Sequence, residues 1–148
     1  MKMNRTRKSI LGIVSIAIGG IIYILWREQS LLMFEWFKSI GVINIVESMR
    51  SFADKYYSIF PKWVYFSLPN ALWLFGGILL FASIWKHHCY EQYFWIGIFV
   101  TIAIGSEFGQ LLGVTPGTWD NSDILFMIVS IVCAITLNRK GVGNVKTL

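Results

Sequence analysis

Charged side chains are scarce in this chain, and their scarcity excludes most soluble folds. They make up 14% of its 148 residues, whereas hydrophobic side chains make up 55%. A water-soluble domain of that composition would expose large apolar patches, so lipid is the natural solvent for its surface. The chain is also too short to cross a membrane repeatedly and carry a separate module. We therefore predict one all-α integral membrane domain over residues 1–148.

Motifs for several kinds of chemistry are missing as well. The two cysteines, Cys89 and Cys133, form no CxxC pair, which excludes a disulfide framework, and we interpret both as free thiols. The sequence has no Walker phosphate loop, no GxGxxG and no nucleophilic serine motif. His87 and His88, with Cys89 and Glu91, lack a spacing that closes a tetrahedral metal site. We predict neither a metal nor a cofactor.

What the chain does contain is four apolar segments, predicted to span the membrane at about 9–26, 68–85, 93–112 and 124–138. The first follows four basic residues and is not followed by a small-x-small cleavage site, which favours an uncleaved anchor over a signal peptide. Pro69 near the start of the second is typical of a helix N-terminus. The last segment is shorter than the roughly 20 residues a span needs, so a re-entrant segment and three spans are the alternative.

The polar stretch 27–67 separates the first two segments. Its apolar residues recur at spacings of three and four between charged positions: Trp36, Ile40, Ile43, Val46, Met49, Phe52, Ala53, Tyr56 and Phe60. This periodicity is typical of an amphipathic helix on the membrane surface. A loop with some helical content that packs on the other helices is the alternative interpretation.

Lysine and arginine predict the orientation. Four lie at the N-terminus, one in the 86–92 connection and three at the C-terminus, whereas the 114–123 loop has none. With four spans these eight residues share one side, which the positive-inside rule makes cytoplasmic. The other five lie in 27–67 among acidic residues. Both termini are therefore expected in the cytoplasm, and the charge is a topology signal that predicts no nucleic-acid binding.

This topology brings a set of polar side chains to the external side: Asn70, Glu107, Gln110, Asp120 and Asp123. Glu107 lies inside an apolar helix, roughly 9 Å below its end at about 1.5 Å per residue. Intramembrane carboxyl groups are costly unless protonated, paired or hydrated, and they are functional-site candidates. Gln110 shares its helix face. The alternative is that both residues only tie the bundle together through interhelical hydrogen bonds.

The same helix carries Gly105, Gly109 and Gly113, which form two overlapping GxxxG spacings. At 100° per residue they lie roughly opposite Glu107. We predict that this glycine face packs against a neighbouring helix or a partner membrane protein while the polar face turns into a cavity.

The stretch SEFGQLLGVTPGTWDNSDI, from Ser106 to Ile124, resembles the signature of VanZ-like membrane proteins. That signature has a glutamate, a glutamine three residues on, a turn, and two aspartates before the next helix, and here these fall on Glu107, Gln110, Asp120 and Asp123. The resemblance is firmest over 103–126. It implies a bacterial inner-membrane protein, in a family named for a member that lowers susceptibility to the glycopeptide teicoplanin, and it implies no known reaction.

The chain also departs from that family. Many members have an arginine in the turn where this chain has Pro116, Gly117 and Thr118, and an Asn and a Gly in the last span where it has the stretch 126–130. A role that depends on that arginine is therefore not carried over to this chain.

Three hypotheses for function follow. In the first, an external pocket engages a lipid-linked or cell-envelope ligand, with Glu107 and Asp120 as candidate catalytic or binding groups and Asn70 and Gln110 orienting the ligand. In the second, the protein is an accessory subunit that docks on a larger membrane complex. In the third, it transports protons or a small solute, with Glu107 titrating. Four spans are few for a transporter.

Overall fold

The computed structural model describes residues 3–29, 31–85, 89–115 and 119–139. Over these residues the chain forms seven α-helices and no strand, which confirms the predicted all-α class. The helices are α1 (Arg5–Trp26), α2 (Leu32–Ser39), α3 (Ile43–Asp54), α4 (Lys62–Phe66), α5 (Leu68–Ile84), α6 (Tyr90–Leu111) and α7 (Asn121–Arg139).

The four predicted apolar segments coincide with α1, α5, α6 and α7. Among the described helices, α1, α6 and α7 are long and apolar enough to cross a membrane. The last segment is not the short one, because α7 begins at Asn121 and has 19 residues, with Asp123 in its first turn. The shortest is α5, with 17 residues.

Glycines bring α1 and α5 into backbone contact. A Cβ atom placed on Gly12 would lie 2.8 Å from the carbonyl oxygen of Gly76, and one on Gly76 would lie 2.6 Å from the carbonyl oxygen of Gly12. Both distances are too short for any side chain, so only glycine permits this approach. The buried residues of α1 recur every three or four positions, at Lys8, Gly12, Ser15 and Gly19. That stripe of mostly small residues is the face of α1 that packs on α5.

The centre of the bundle is α5. Its Leu74, Ile78, Leu79 and Ala82 form one apolar core with Ile96, Met127 and Ala134 from α6 and α7. The helix α6 is peripheral, with only Gln92, Ile96 and Glu107 buried. Gln92 fastens its first turn, because its side-chain amide donates a hydrogen bond of 2.9 Å to the carbonyl oxygen of Ala82.

At one end of the bundle, polar side chains join the start of α1 to the ends of α5 and α7. Arg5 donates hydrogen bonds to the carbonyl oxygens of Ser83 and Ile84, which lie in the last turn of α5. These carbonyls have no partner within the helix, so the arginine satisfies them. The buried Lys8 ammonium donates a hydrogen bond to the side-chain oxygen of Asn138. The N-terminal end of α1 and the C-terminal end of α7 therefore lie at the same end of the bundle.

Residues 27–67 form three helices, not one continuous amphipathic helix. Gly41 has φ of +77° and separates α2 from α3, a backbone conformation that glycine adopts without strain. Pro61 precedes α4. Arg50 of α3 donates a hydrogen bond to the carbonyl oxygen of Ile24 in the last turn of α1. The segment is therefore joined to the bundle by specific contacts.

The apolar stripe predicted for this segment divides into two sets. Val46 and Ala53 are buried, and α3 packs on α1, which confirms the packing interpretation for this face. Trp36, Phe52 and Phe60 are exposed by 61%, 62% and 51%. Contact of these exposed residues with a membrane surface stays a prediction.

The glycine face of α6 does not make the predicted close contact with a neighbouring helix of this chain. Within the described residues, a Cβ on Gly105 would meet nothing within 4 Å, and one on Gly109 would meet the side chain of Thr115. Gly113 has φ of +69° and ends the helix, where the N–H of Val114 donates to the carbonyl oxygen of Gly109 at 2.8 Å. Gly109 and Gly113 therefore belong to the turn that ends α6. Gly12 and Gly76 make the close helix contact instead.

Candidate functional site

A cavity of about 670 Å³ opens between the end of α1, the start of α5 and the last third of α6. It lies at the end of the bundle opposite the Lys8–Asn138 hydrogen bond, since α1 runs from Arg5 to Trp26. Three of the five predicted site residues line it: Asn70, Glu107 and Gln110. The structure therefore brings these three side chains to one cavity, and the four-span topology from which their proximity was predicted stays a prediction.

Glu107 is the most unusual residue of the cavity. Its side chain is only 4% exposed. Oε1 lies 3.5 Å from the side-chain amide nitrogen of Asn70, which is the outer limit of a hydrogen bond. Oε2 is buried and has no hydrogen-bond partner among the described residues. A buried polar atom without a partner costs about 1–3 kcal/mol, so this oxygen is where a ligand with a hydrogen-bond donor would be stabilised.

Arg27 is the site residue that the sequence did not reveal. It lines the cavity, and its guanidinium carbon lies 5.2 Å from the ring centroid of Tyr23 and 5.4 Å from that of Phe66. Contacts with two aromatic rings hold a guanidinium in place without using its N–H donors. Nε is buried and has no hydrogen-bond partner within residues 3–29, 31–85, 89–115 and 119–139. Arg27 follows the first apolar segment directly, and its position after the end of a span was the signal available.

The charges of Arg27 and Glu107 interact across the cavity without forming an ion pair. They are close enough for electrostatic interaction, but among the described residues the one ion pair within 4.0 Å joins Lys38 to Glu35. Gln110 lies one turn beyond Glu107 on α6 and supplies both a donor and an acceptor. Glu28 also lines the cavity, which therefore offers one cation, two carboxylates and two side-chain amides to one ligand.

The two predicted aspartates lie outside the cavity lining. Asp120 is exposed, and its Oδ1 accepts a hydrogen bond of 2.8 Å from the N–H of Ser122, which is the geometry of a helix N-cap for α7. Asp123 is 5% exposed, neighbours Ser67, and interacts electrostatically with Glu107 and Arg27. Asp123 is therefore buried close to Glu107 without lining the cavity, and Asp120 is exposed on the surface of the protein.

The other side of the cavity is apolar. It is formed by Leu74, Phe99, Ala103 and Met127. Phe99 lies eight residues before Glu107 in α6, which is about 12 Å along the helix axis. Along α6 the polar lining residues therefore lie nearer the end of the helix than Phe99 and Ala103 do, an arrangement that suits an amphiphilic molecule.

Comparison with known proteins leaves the site to be argued from its geometry. No family model matches the chain, and neither a curated protein nor a solved structure matches it. The VanZ-like resemblance of residues 103–126 stays a prediction. His87 and His88, for which the sequence predicts no metal, lie outside the described residues.

Proposed function

We propose that this protein spans the bacterial inner membrane four times and binds a membrane amphiphile, either a lipid or a lipid-linked envelope compound, in the cavity around Glu107. The observation that carries the proposal is the buried Oε2 of Glu107, which has no partner among the described residues and belongs to a side chain that lines a cavity with polar and apolar walls. Binding a donor group there removes the cost of the unpaired oxygen.

The four-span topology is supported by two features. The first is the Lys8–Asn138 hydrogen bond, which joins the start of α1 to the end of α7, as an even number of spans requires. The second is the continuity of α4 and α5. Ser67 between them has helical backbone angles, and its N–H donates to the carbonyl oxygen of Trp63. Residues 62–84 together rise roughly 34 Å, which exceeds the hydrocarbon thickness of about 30 Å.

The positive-inside rule then places both termini in the cytoplasm and the cavity at the external leaflet. This position gives a membrane lipid direct access, because the apolar half of the cavity lies at the depth of acyl chains and the polar half lies near the headgroups. It also fits the VanZ-like resemblance, which implies a cell-envelope role. A catalytic role for Glu107 is a further hypothesis, since a carboxyl group in such a site suits proton transfer as well as binding.

Native mass spectrometry of the purified full chain tests the proposal. The protein is incubated in detergent with a polar lipid extract of bacterial inner membranes, and the bound molecules are identified. We expect one amphiphile per chain, and markedly weaker retention in Glu107→Gln. Glu47→Gln is the matched control, because Glu47 is an exposed carboxylate of α3. Equal retention by both variants, with both chains folded, would contradict a binding role for Glu107.

One observation favours a second candidate function, that of an accessory subunit. The helix α6 is peripheral, and its Gly97 and Gly105 face open space within the described structure. Small residues of this kind allow a helix of another membrane protein to approach closely. This function predicts a stoichiometric partner when the protein is purified in mild detergent, and Gly105→Leu would release that partner. A lone monomer under those conditions would count against it.

A further inference from the structure

We infer that the amphiphile held in the cavity is a zwitterionic phospholipid with a primary amine, whose phosphate binds Arg27 and whose ammonium group donates hydrogen bonds to Glu107. This inference rests on the proposed function and names the class of its ligand.

The charges that line the cavity carry the first step. Among the described residues Arg27 is the only cation in the lining, and Glu28 and Glu107 supply its two carboxylates. Oε2 of Glu107 is buried and has no hydrogen-bond partner within the described structure. A purely anionic headgroup would satisfy the guanidinium and leave that oxygen unpaired. A purely cationic ligand would do the reverse. A headgroup that carries one charge of each sign satisfies both.

Arg27 is prepared for a phosphate. The rings of Tyr23 and Phe66 contact the guanidinium, which restricts its motion, and Nε has no partner in the part of the chain that the structure describes. The planar N–H donors of arginine match phosphate oxygens in pairs, and hydrogen bonds of this kind are strengthened by charge.

The acceptors around Glu107 favour a primary ammonium group. Such a group has three N–H donors. Oε2 of Glu107 has no hydrogen-bond partner among the described residues. The side-chain N–H of Asn70 donates toward Oε1. The side-chain oxygen of Asn70 is a further acceptor. Gln110 adds another amide oxygen to the lining. A quaternary trimethylammonium group has no N–H donor, so it would leave these acceptors unsatisfied.

The apolar half of the cavity indicates that the zwitterion is attached to a lipid. Leu74, Phe99, Ala103 and Met127 line the side that extends about 12 Å below Glu107. A free phosphoethanolamine molecule has no apolar surface to place against these residues. A phospholipid would place the first carbons of an acyl chain there.

The experiment compares three lipids with identical acyl chains: phosphatidylethanolamine, phosphatidylcholine and phosphatidylglycerol. The purified full chain is mixed with equimolar amounts, and the bound fraction of each lipid is measured by native mass spectrometry. We expect phosphatidylethanolamine to be favoured about tenfold over the other two, the effect of one hydrogen bond to a charged group. This comparison uses the unmodified chain and requires no variant to fold.

Two variants then assign the preference to its residues. In Glu107→Gln we expect the bound fractions of phosphatidylethanolamine, phosphatidylcholine and phosphatidylglycerol to be about equal, because one charged acceptor is replaced by a neutral amide. Arg27→Gln is expected to weaken the binding of all three lipids, since each has a phosphate. Glu47→Gln and Arg7→Gln are the matched controls, because both residues are exposed, and they are expected to retain the wild-type preference.

The outcomes separate this inference from the proposed function. If phosphatidylglycerol binds as well as phosphatidylethanolamine, the headgroup assignment is overturned and lipid binding stands. If no lipid of any class is retained, the proposed function fails as well. If soluble O-phosphoethanolamine displaces the bound lipid at equal concentration, the recognised ligand is the free headgroup, and the assignment to a lipid is overturned.

Discussion

The side-chain amide of Asn70 lies 3.5 Å from Oε1 of Glu107 and is the polar contact between α5 and α6 at the cavity. Oε2 of the same carboxyl group is buried and has no partner among the described residues. One oxygen therefore orients the side chain, and the other is the atom that a bound donor group would stabilise. This division agrees with both interpretations of Glu107 made from the sequence, since the residue ties two helices together and also presents a binding atom.

The contact between α1 and α5 depends on glycine. We expect Gly76→Ala to destabilise the protein by about 1–3 kcal/mol, because the added Cβ would overlap the backbone of Gly12. Gly105→Ala is the control, since nothing lies near its added methyl group, and its better helix propensity makes it neutral or stabilising. Thermal unfolding in detergent measures both. Equal unfolding temperatures for the two variants would refute the close packing.

The hydrogen bond between Lys8 and Asn138 is expected to stabilise the end of the bundle away from the cavity. A double-mutant cycle with Lys8→Met and Asn138→Leu should give a coupling energy of about 1–2 kcal/mol, because hydrogen bonds of charged groups are stronger than neutral ones. The unfolding free energy of the four proteins supplies the cycle. Additive effects would show that the two side chains do not act together.

Asp120 is expected to act as a helix cap and not as a ligand group. Asp120→Ala should reduce stability by about 0.5–2 kcal/mol, whereas Asp120→Asn should retain most of it, since asparagine caps helices about equally well. Neither change should alter lipid retention. A selective loss of lipid in Asp120→Asn, with unfolding temperature unchanged, would return Asp120 to the binding site as the sequence predicts.

The orientation can be tested with cysteine labelling. Cys89 lies between α5 and α6, in the connection that the proposed topology assigns to the cytoplasm, whereas Glu47 lies in α3, which it assigns to the external side. Two variants, both with Cys133→Ala, are treated with a membrane-impermeant maleimide. In intact cells the reagent should label the variant that has Glu47→Cys and Cys89→Ala. It should label the variant that retains Cys89 only after permeabilisation. Labelling of Cys89 in intact cells would reverse the topology.

Hydropathy was sufficient to predict the long helices, because an apolar run of this length has few other stable structures in lipid. The grouping of Asn70, Glu107 and Gln110 also followed from the sequence, since alternating spans decide which helix ends meet. Asp120 and Asp123 share that end of the bundle, but the sequence does not specify how α7 is rotated about its axis. That rotation is decided by contacts such as the stacking of Trp63 on Phe126, with ring centroids 4.8 Å apart.

Other features depended on tertiary contacts that a single sequence does not display. The GxxxG spacing of α6 predicted a helix contact, yet Gly113 is used for a turn, while the contact formed at Gly12 and Gly76. The spacing of Lys8, Gly12, Ser15 and Gly19 was the available signal for that contact. Arg27 marked the end of a span by composition, and only the fold shows that its guanidinium reaches the cavity.

The most direct test of lipid binding in the cavity around Glu107 is to locate the bound molecule. Phosphatidylethanolamine that carries a photoactivatable diazirine near the glycerol end of an acyl chain is bound to the purified protein, and the complex is irradiated. The modified residues are then identified by peptide mass spectrometry. Ala103 lines the cavity, whereas its neighbour Ile102 is 67% exposed and does not. Lipid binding in the cavity predicts cross-links at Ala103 and Phe99 that are markedly reduced in Glu107→Gln. Cross-links confined to Ile102 and other outward residues, unchanged in that variant, would contradict it.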